Sequence, residues 1–514
     1  MTMRFGHRAV ATLSAMVLLA VTAACGGGDD ADSSTAATSD NGILRWGSST
    51  KPASLDPRKS ATFDPIFLLE VYDPLIRRDA KGDLVPALAT EWKLAEDAKT
   101  LDLTLREGVK FQDGADFNAE AVKANIEAGR QPGSNLTASL AVVDSVTVVD
   151  PTHVTLKMNT PSSHILNVLA GEAGYMISPN ALGNEDLGTK PVGAGPFKVT
   201  TYNQSSLIYE KWDGYWDADS IKLRRIDMTF LLDEATRLRA LTSGQVDAAP
   251  IRSNQKPEAE AGGMTFTTGE AAFLYGLMLN TSKSELDNPL VRQALVHAID
   301  REAINQAFFD GDCTPVVQPF PSSHWGHVKG LEDSAEGKYD PERAKQLLAQ
   351  AGLPNGFPLN MYMGTASLFQ SVAQAIQAQL AKVGITVKLT AMENTALATA
   401  RRKGDFESSF ASIQSGRPDP SQFAVDFYTP DGVFNPGKTA IDGVDAPLAT
   451  LRQTADQTAR AEAMSQIVTT ALKAGPPMTP VCSALVVWAH SDKVKGLEIA
   501  VNYDYEFRNV SMAK

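Results

Sequence analysis

Apolar and polar positions along this chain fall into two alternating periods, and the switches between them mark out elements. Lys99 to Phe111, KTLDLTLREGVKF, alternates with period two and breaks at DGADF, which predicts a strand and a turn. AEAVKANIEA then follows Asn118 with helical spacing, and Asn118 is a side chain suited to cap that helix. HVTLKMN (residues 153–159) reads as a strand and SHILNVLAG as a short helix. Further on, Asp340 stands as an N-cap, Pro341 at the first helical position and Gly352 just past the end. Ala344, Leu347, Leu348 and Ala351 share one face between them. SVAQAIQAQLAKVG repeats the helical period and runs into the strand pattern ITVKLT. The result is a mixed α/β alternation without a tandem repeat.

The first forty residues follow neither period. Arg4, His7 and Arg8 precede a sixteen-residue apolar run, Ala9 to Ala24, which stops at Cys25. A run this short, ending in small residues, fits a cleaved export signal better than a spanning helix of about 20 residues. Cys25 after Ala23 and Ala24 resembles the bacterial lipobox, although Thr22 stands where that motif carries an aliphatic residue and Val21 lies one place early. The expectation is a signal peptide over 1–24, acylation at Cys25 and a flexible Gly/Asp/Ser/Thr tether over 25–41. Secretion without lipid and an uncleaved anchor are the alternatives. Either of the first two outcomes puts the body in an extracytoplasmic location, and acylation anchors it to the cell membrane.

Composition narrows the body's partners. The formal net charge is −13, and loss of Arg4 and Arg8 with the leader takes it to −15. That balance argues against nucleic acid or an anionic bilayer surface as the main partner, because both reward positive patches. A body of this length exceeds one core, so two or three domains are expected. The remaining cysteines, Cys313 and Cys482, form a disulfide in an oxidising exterior or stay as separate buried thiols.

Six blocks in sequence carry a family resemblance. LVPALATEWKLAEDAKTLDLTLREGVKFQDGADFNAEAVKANIEA comes first, then PVGAGPFKV (residues 191–199) and EKWDGYWDADSIKLRRIDMTFLLDEATRLRALTSGQVDAA. LNTSKSELDNPLVRQALVHAIDREAI (residues 279–304), YDPERAKQLLAQAG and SVAQAIQAQLAKVGITVKL complete the series. In this order they resemble the family 5 extracellular solute-binding proteins, the oligopeptide and dipeptide receptors of ABC importers, over residues 43–500. The resemblance implies a periplasmic-binding-protein-like type II α/β fold, cluster C, with two hinged lobes and an extra domain. Lobe I would combine 42–62, 178–268 and 484–514, the inserted domain would be 63–177, and lobe III would be 269–483. It also implies a monomeric, non-enzymatic receptor without a cofactor. Such a receptor closes on a small solute, above all a short peptide, and delivers it to a permease served by a separate cytoplasmic ATPase. The same architecture with a metal chelate, haem, sugar oligomer or signalling molecule as cargo is the runner-up, and a secreted hydrolase a distant one.

Candidate ligand contacts fall in three places. Phe273 and Tyr275, in GEAAFLYGLMLN, alternate onto one face where the chain would enter lobe III, and aromatic faces suit varied side chains. The polar loop SIQSGRPDPSQF supplies Ser415, Arg417 and Asp419. Dipeptide-binding relatives carry an Asp three residues before their Asp-Pro that clamps the ligand ammonium, and here that position is Gly416. Arg417 is suited to a bidentate pair with a ligand carboxylate or, structurally, to a pair with Asp419. Trp488, in VVWAHSDKV, is a candidate cleft wall, with simple burial as the alternative, as it is for Phe273 and Tyr275.

Other motifs carry little. GVFNPGKT (residues 432–439) has P-loop spacing, but Pro430, Asp431 and Pro436 crowd it and Gly443 and Pro447 follow, so no strand-to-helix turn is expected. His324 and His327 have a metal-like i,i+3 spacing among Pro319, Pro321 and Gly326, without a completing ligand nearby. No metal is expected, and neither a GxSxG nor an HExxH occurs.

Overall fold

The computed structural model describes residues 42–60, 65–415, 419–500 and 506–513. The leader, Cys25 and the tether lie outside them. Among the described residues no helix is long and apolar enough to cross a membrane.

Ten strands form one continuous ladder, with an eleventh, Cys313–Pro315, paired onto its middle. One half of the ladder centres on Gly42–Ser48, which lies parallel to Leu223–Phe230 and touches Ala248–Ile251 through Trp46 and Ala248. The other half places Pro358–Gly364 parallel to both Thr386–Met392 and Ser408–Gln414. Two long antiparallel strands join the halves: Thr265–Leu279, of 15 residues, and Met478–His490, of 13. Their register runs from Thr265 opposite His490 to Glu270 opposite Leu485, shifts, and resumes with Leu274 opposite Ser483. Four steps along one strand against two along the other make a bulge, which bends the ribbon between the halves.

A separate antiparallel sheet orders Ala89–Leu94, Thr100–Leu105, His153–Met158 and Val143–Asp150, with the helix Ala119–Gly129 packed against it. Asn118 caps that helix by accepting from the Ala121 amide at 3.1 Å. Asp340 caps Pro341–Gln350 through the Arg343 amide, and Gly352 follows at φ +82°, a conformation that favours glycine. The strand and helix patterns read from the sequence around 99–111, 118–129, 153–159, 341–350, 367–381 and 386–392 all form.

Each part has its own apolar core. Trp46, Tyr209 and Phe507 lie in the core of the first half, Phe111 and Leu156 in that of the four-stranded sheet, and Leu347, Ile376 and Phe410 in one core of the second half. A further core there holds Phe320, Phe427 and Ile467. This is the two-lobed type II α/β fold with an additional domain.

One buried charge cluster holds the C-terminal segment in place. The Asp73 carboxylate is fully buried and accepts from Arg77 and Arg508, each at 2.8 Å, and from Tyr215 and Trp216. Four donors offset the cost of burying the ion, which would otherwise be several kcal/mol. Although burial works in the opposite direction, the two guanidinium groups and the hydrogen bonds bring its pKa below the usual value.

Candidate functional site

A cavity of about 390 Å³ opens where the two long strands pass between the halves of the ladder. Glu234 and the segment Pro250–Asn254 line it from the first half. Phe308, Phe309, Asp312, Ser367 and Ser371 line it from the second, and Tyr275 and Ala484–Val487 belong to the crossing strands.

Strand alternation decides which side of the ribbon each residue serves. Tyr275, Leu277 and Leu279 point to the face of the Phe410 core, whereas Leu274 and Met278 point to the opposite face. Tyr275 therefore meets Phe309 at 5.3 Å, Phe369 at 5.7 Å and Phe410 at 6.1 Å between ring centroids, and it remains half-buried at the cavity. Burial pushes its phenol pKa above the usual value, so the hydroxyl stays protonated at neutral pH.

Charge in the cavity is arranged in pairs. Arg252 and Glu234 are 2.5 Å apart, each side chain about two-fifths exposed. Lys256, from the first half, reaches Asp312, in the second, also at 2.5 Å, and so ties the two walls together. The helix Ser367–Ala381 begins at the cavity; its N-cap is Ala366, which supplies no side-chain acceptor, and its first turn has no acidic residue. Helix N-termini carry partial positive charge and free amides. The cavity thus offers a cationic region at Arg252 and the helix start, acidic oxygens at Glu234 and Asp312, and an aromatic floor. That combination suits a zwitterionic solute bound by its charged ends and by an apolar body.

The other sequence candidates have different fates. Asp419 is 1% exposed and is not available to a ligand. One carboxylate oxygen caps the helix Pro420–Tyr428 through the Ser421 amide and hydroxyl. The second accepts from Arg460 and from Asn167, each at 2.6 Å. Asp419's ion partner is therefore Arg460, and Arg417 lies outside the described residues. The Ser415 side chain is buried, and its hydroxyl has no hydrogen-bond partner among the described residues. The backbone of Phe273 pairs with Gln414, and its side chain lies outside the described residues.

Trp488 corrects an expectation. It has no exposed surface and meets Trp46 edge-on at 5.5 Å, so it fills the core under the crossing and offers no cavity face in this conformation. Its neighbour Val487 faces the other way and lines the cavity. Cys313 and Cys482 form a disulfide with Cα atoms 5.4 Å apart, which clips the short strand Cys313–Pro315 onto the long strand Met478–His490.

The dismissed motifs have structural roles. His324 is buried, stacks on Phe320 at 4.8 Å and accepts the Gly326 amide, and burial lowers its pKa to about 4. His327 bonds the Phe320 carbonyl. Among the described residues no three His, Cys, Asp or Glu side chains gather as a metal-holding group. The P-loop-like segment follows a helix, Pro420–Tyr428, rather than a strand, and Thr439 bonds Thr281 and the Asn435 side chain.

Sequence reasoning missed Arg252, Glu234, Lys256, Asp312, Asn167 and Arg460. No local pattern marks them, since Asn167 and Asp419 are 252 positions apart and Lys256 and Asp312 are 56 apart.

Residues 83–435 match the model of the bacterial extracellular solute-binding proteins, family 5 Middle. The chain is 32% identical to the glutathione-binding protein GsiB of Salmonella typhi over 462 residues, which covers 86% of this chain and 88% of that protein. Among solved structures it is similar to DppA of Helicobacter pylori in complex with the peptide STSA, at 25% identity and a TM-score of 0.78. That match covers 92% of this chain and 98% of DppA. AgaA of A. tumefaciens R10, in complex with agropinic acid, matches at 26% identity and a TM-score of 0.79 over 92% and 99% of the two chains. Sequence match, coverage and architecture agree: the chain belongs to the bacterial extracellular solute-binding proteins, family 5, the solute-binding components of ABC transporters.

Proposed function

We propose that this chain is a non-enzymatic, extracytoplasmic receptor that captures a short peptide or peptide-like solute between its two lobes. It would deliver that solute to the permease of an ABC importer. The observation that carries the proposal is the cavity at the crossing strands, where both lobes contribute charged ends around the half-buried Tyr275. Ligand contacts from both walls favour the closed arrangement, and differential affinity sets how far closure goes. Glutathione binding by GsiB and the bound tetrapeptide of DppA support a peptide class of cargo. Lobe I at 42–62, 178–268 and 484–514, an inserted domain at 63–177 and lobe III at 269–483 is the division we propose. Acylation at Cys25 would hold the body at the membrane as a monomer.

A non-peptide carboxylate is the second reading, favoured by two residues. Gly416 replaces the acidic ammonium clamp of dipeptide-binding relatives, and Asp419 is already committed to Arg460. AgaA, with agropinic acid bound, supports that reading. Titration calorimetry of the body from Gly26 with glutathione, the peptide Ser-Thr-Ser-Ala and agropinic acid separates the two. Arg252→Ala should weaken the solute that binds by about 1.5–3 kcal/mol, the range for a hydrogen bond to a charged group. Unchanged affinity in a folded variant removes Arg252 from the site. Failure of both peptides beside binding of agropinic acid overturns the peptide assignment.

A further inference from the structure

The inserted domain meets lobe III through a small set of polar contacts, made far from the crossing strands in sequence. Ser163, just before the short helix Ile165–Leu169, donates its amide to the Arg452 carbonyl at 2.8 Å and its hydroxyl to the Leu451 carbonyl at 2.6 Å. Arg460 Nη1 donates to the Ser163 hydroxyl oxygen at 2.7 Å. Asn167, on the helix, donates through Nδ2 to Asp419 Oδ2 at 2.6 Å, while its own Oδ1 accepts from Arg78 at 3.3 Å.

We infer that Asn167, Ser163, Asp419 and Arg460 form a latch that holds the inserted domain against lobe III and positions the start of the helix Pro420–Tyr428. The two sides have separate apolar cores, one around Phe111 and Leu156 and the other around Phe320 and Phe427. Polar contacts between separately cored bodies belong to interfaces that open, whereas a shared apolar core does not. The lobe III half of the latch is complete without its partner, because Asp419 keeps Arg460 and both Ser421 bonds when Asn167 withdraws. Opening therefore leaves no unpaired buried carboxylate on lobe III, and the contact can be made and broken without unfolding either side. Asp419 also caps the helix Pro420–Tyr428, so the residue that Asn167 contacts is the one that fixes the start of that helix. Its role is positioning. The latch rests on the solute-capturing role of the chain and is independent of whether the cargo is a peptide.

The Ser163 amide reports on the latch directly, since its acceptor lies on the other side. Asn167→Asp sets a second carboxylate against Asp419 while preserving the acceptor for Arg78, and Asn167→Ala removes both the donor to Asp419 and the Oδ1 acceptor for Arg78. Hydrogen–deuterium exchange is followed on the body from Gly26, as purified and without added solute. The segment containing Ser163 is expected to exchange at least tenfold faster in Asn167→Asp, and by a smaller factor in Asn167→Ala. Segments covering Thr100–Leu105 and Gln457–Lys473 are expected to keep their rates. Equal rates at Ser163 in variant and parent overturn the latch. Faster exchange spread across the four-stranded sheet also overturns it, because Asn167 would then be holding the inserted domain together. No solute enters this measurement, so its failure is distinct from a failure of the cargo assignment.

Discussion

The Cys313–Cys482 disulfide closes a loop of 169 residues that contains most of the proposed lobe III. Loop closure of that length stabilises a fold by about 5 kcal/mol in the chain-entropy model, and measured values for native bridges run about 2–5 kcal/mol. The bridge joins two strands that are already paired, with Cys313 opposite Ala484 and Pro315 opposite Cys482, and both cysteines are fully buried. Most of the effect should therefore come from the unfolded chain rather than from native contacts. Calorimetry of the body from Gly26 separates the contributions. Unfolding under strong reductant isolates the covalent link and should lower the stability of the lobe III transition by 2–5 kcal/mol, on the order given by the loop estimate. The variant Cys313→Ala/Cys482→Ala should lose about 1–2 kcal/mol more, because two buried sulfurs also leave the core. Asp312, which lines the cavity beside the bridge, makes a second readout. Weaker solute binding in the reduced protein is expected if the strand Cys313–Pro315 loosens. The reasoning is refuted if thiol titration of the unreduced, unfolded body finds two free cysteines, or if reduction shifts stability by less than about 1 kcal/mol.

Three further outcomes are expected. Burial pushes Glu70 from 4.5 up to about 8, because it is completely enclosed and accepts one bond, from the Phe507 amide. The folded state then holds a proton that the unfolded state has released, so stability is fullest below about pH 4.5 as far as Glu70 is concerned and declines as pH rises to about 8. Glu70→Gln should remove that decline, on the order of several kcal/mol across the window, and denaturant midpoints at pH 5 and pH 8 check it. Asp419→Asn retains a capping side chain but leaves Arg460 buried without its counter-ion; it should destabilise lobe III by about 3–5 kcal/mol, read from urea unfolding, and a loss under 1 kcal/mol contradicts the pair's importance. Cys25→Ala should move the protein from the membrane fraction to the soluble fraction with binding intact, and persistent membrane attachment points to an uncleaved anchor.

The sequence by itself determined the elements whose signals are local. Asn118 and Asp340 each act on an amide three residues away, and period-two alternation over 100–105 needs only a strand with one buried face. The order of family blocks determined the architecture, because each block builds one piece of a shared topology. Which cysteine meets which was open only between pairing and not pairing, since the body holds two. The site was less legible. Asp419 looked like a ligand group because it stands in the polar stretch that supplied candidate contacts, yet the tertiary fold brings Arg460 and Asn167 to it and buries the Asp419–Arg460 pair, with Asn167 part-buried beside it. Trp488 and Val487 are adjacent in sequence and face opposite sides of one strand, and only the packing of both lobes decided which side is core and which is cavity. Arg252, Glu234, Lys256 and Asp312 gave no signal at all. Their meaning comes from the crossing strands, which bring two sheet halves within ion-pair distance, and no local pattern carries the position of the opposite wall.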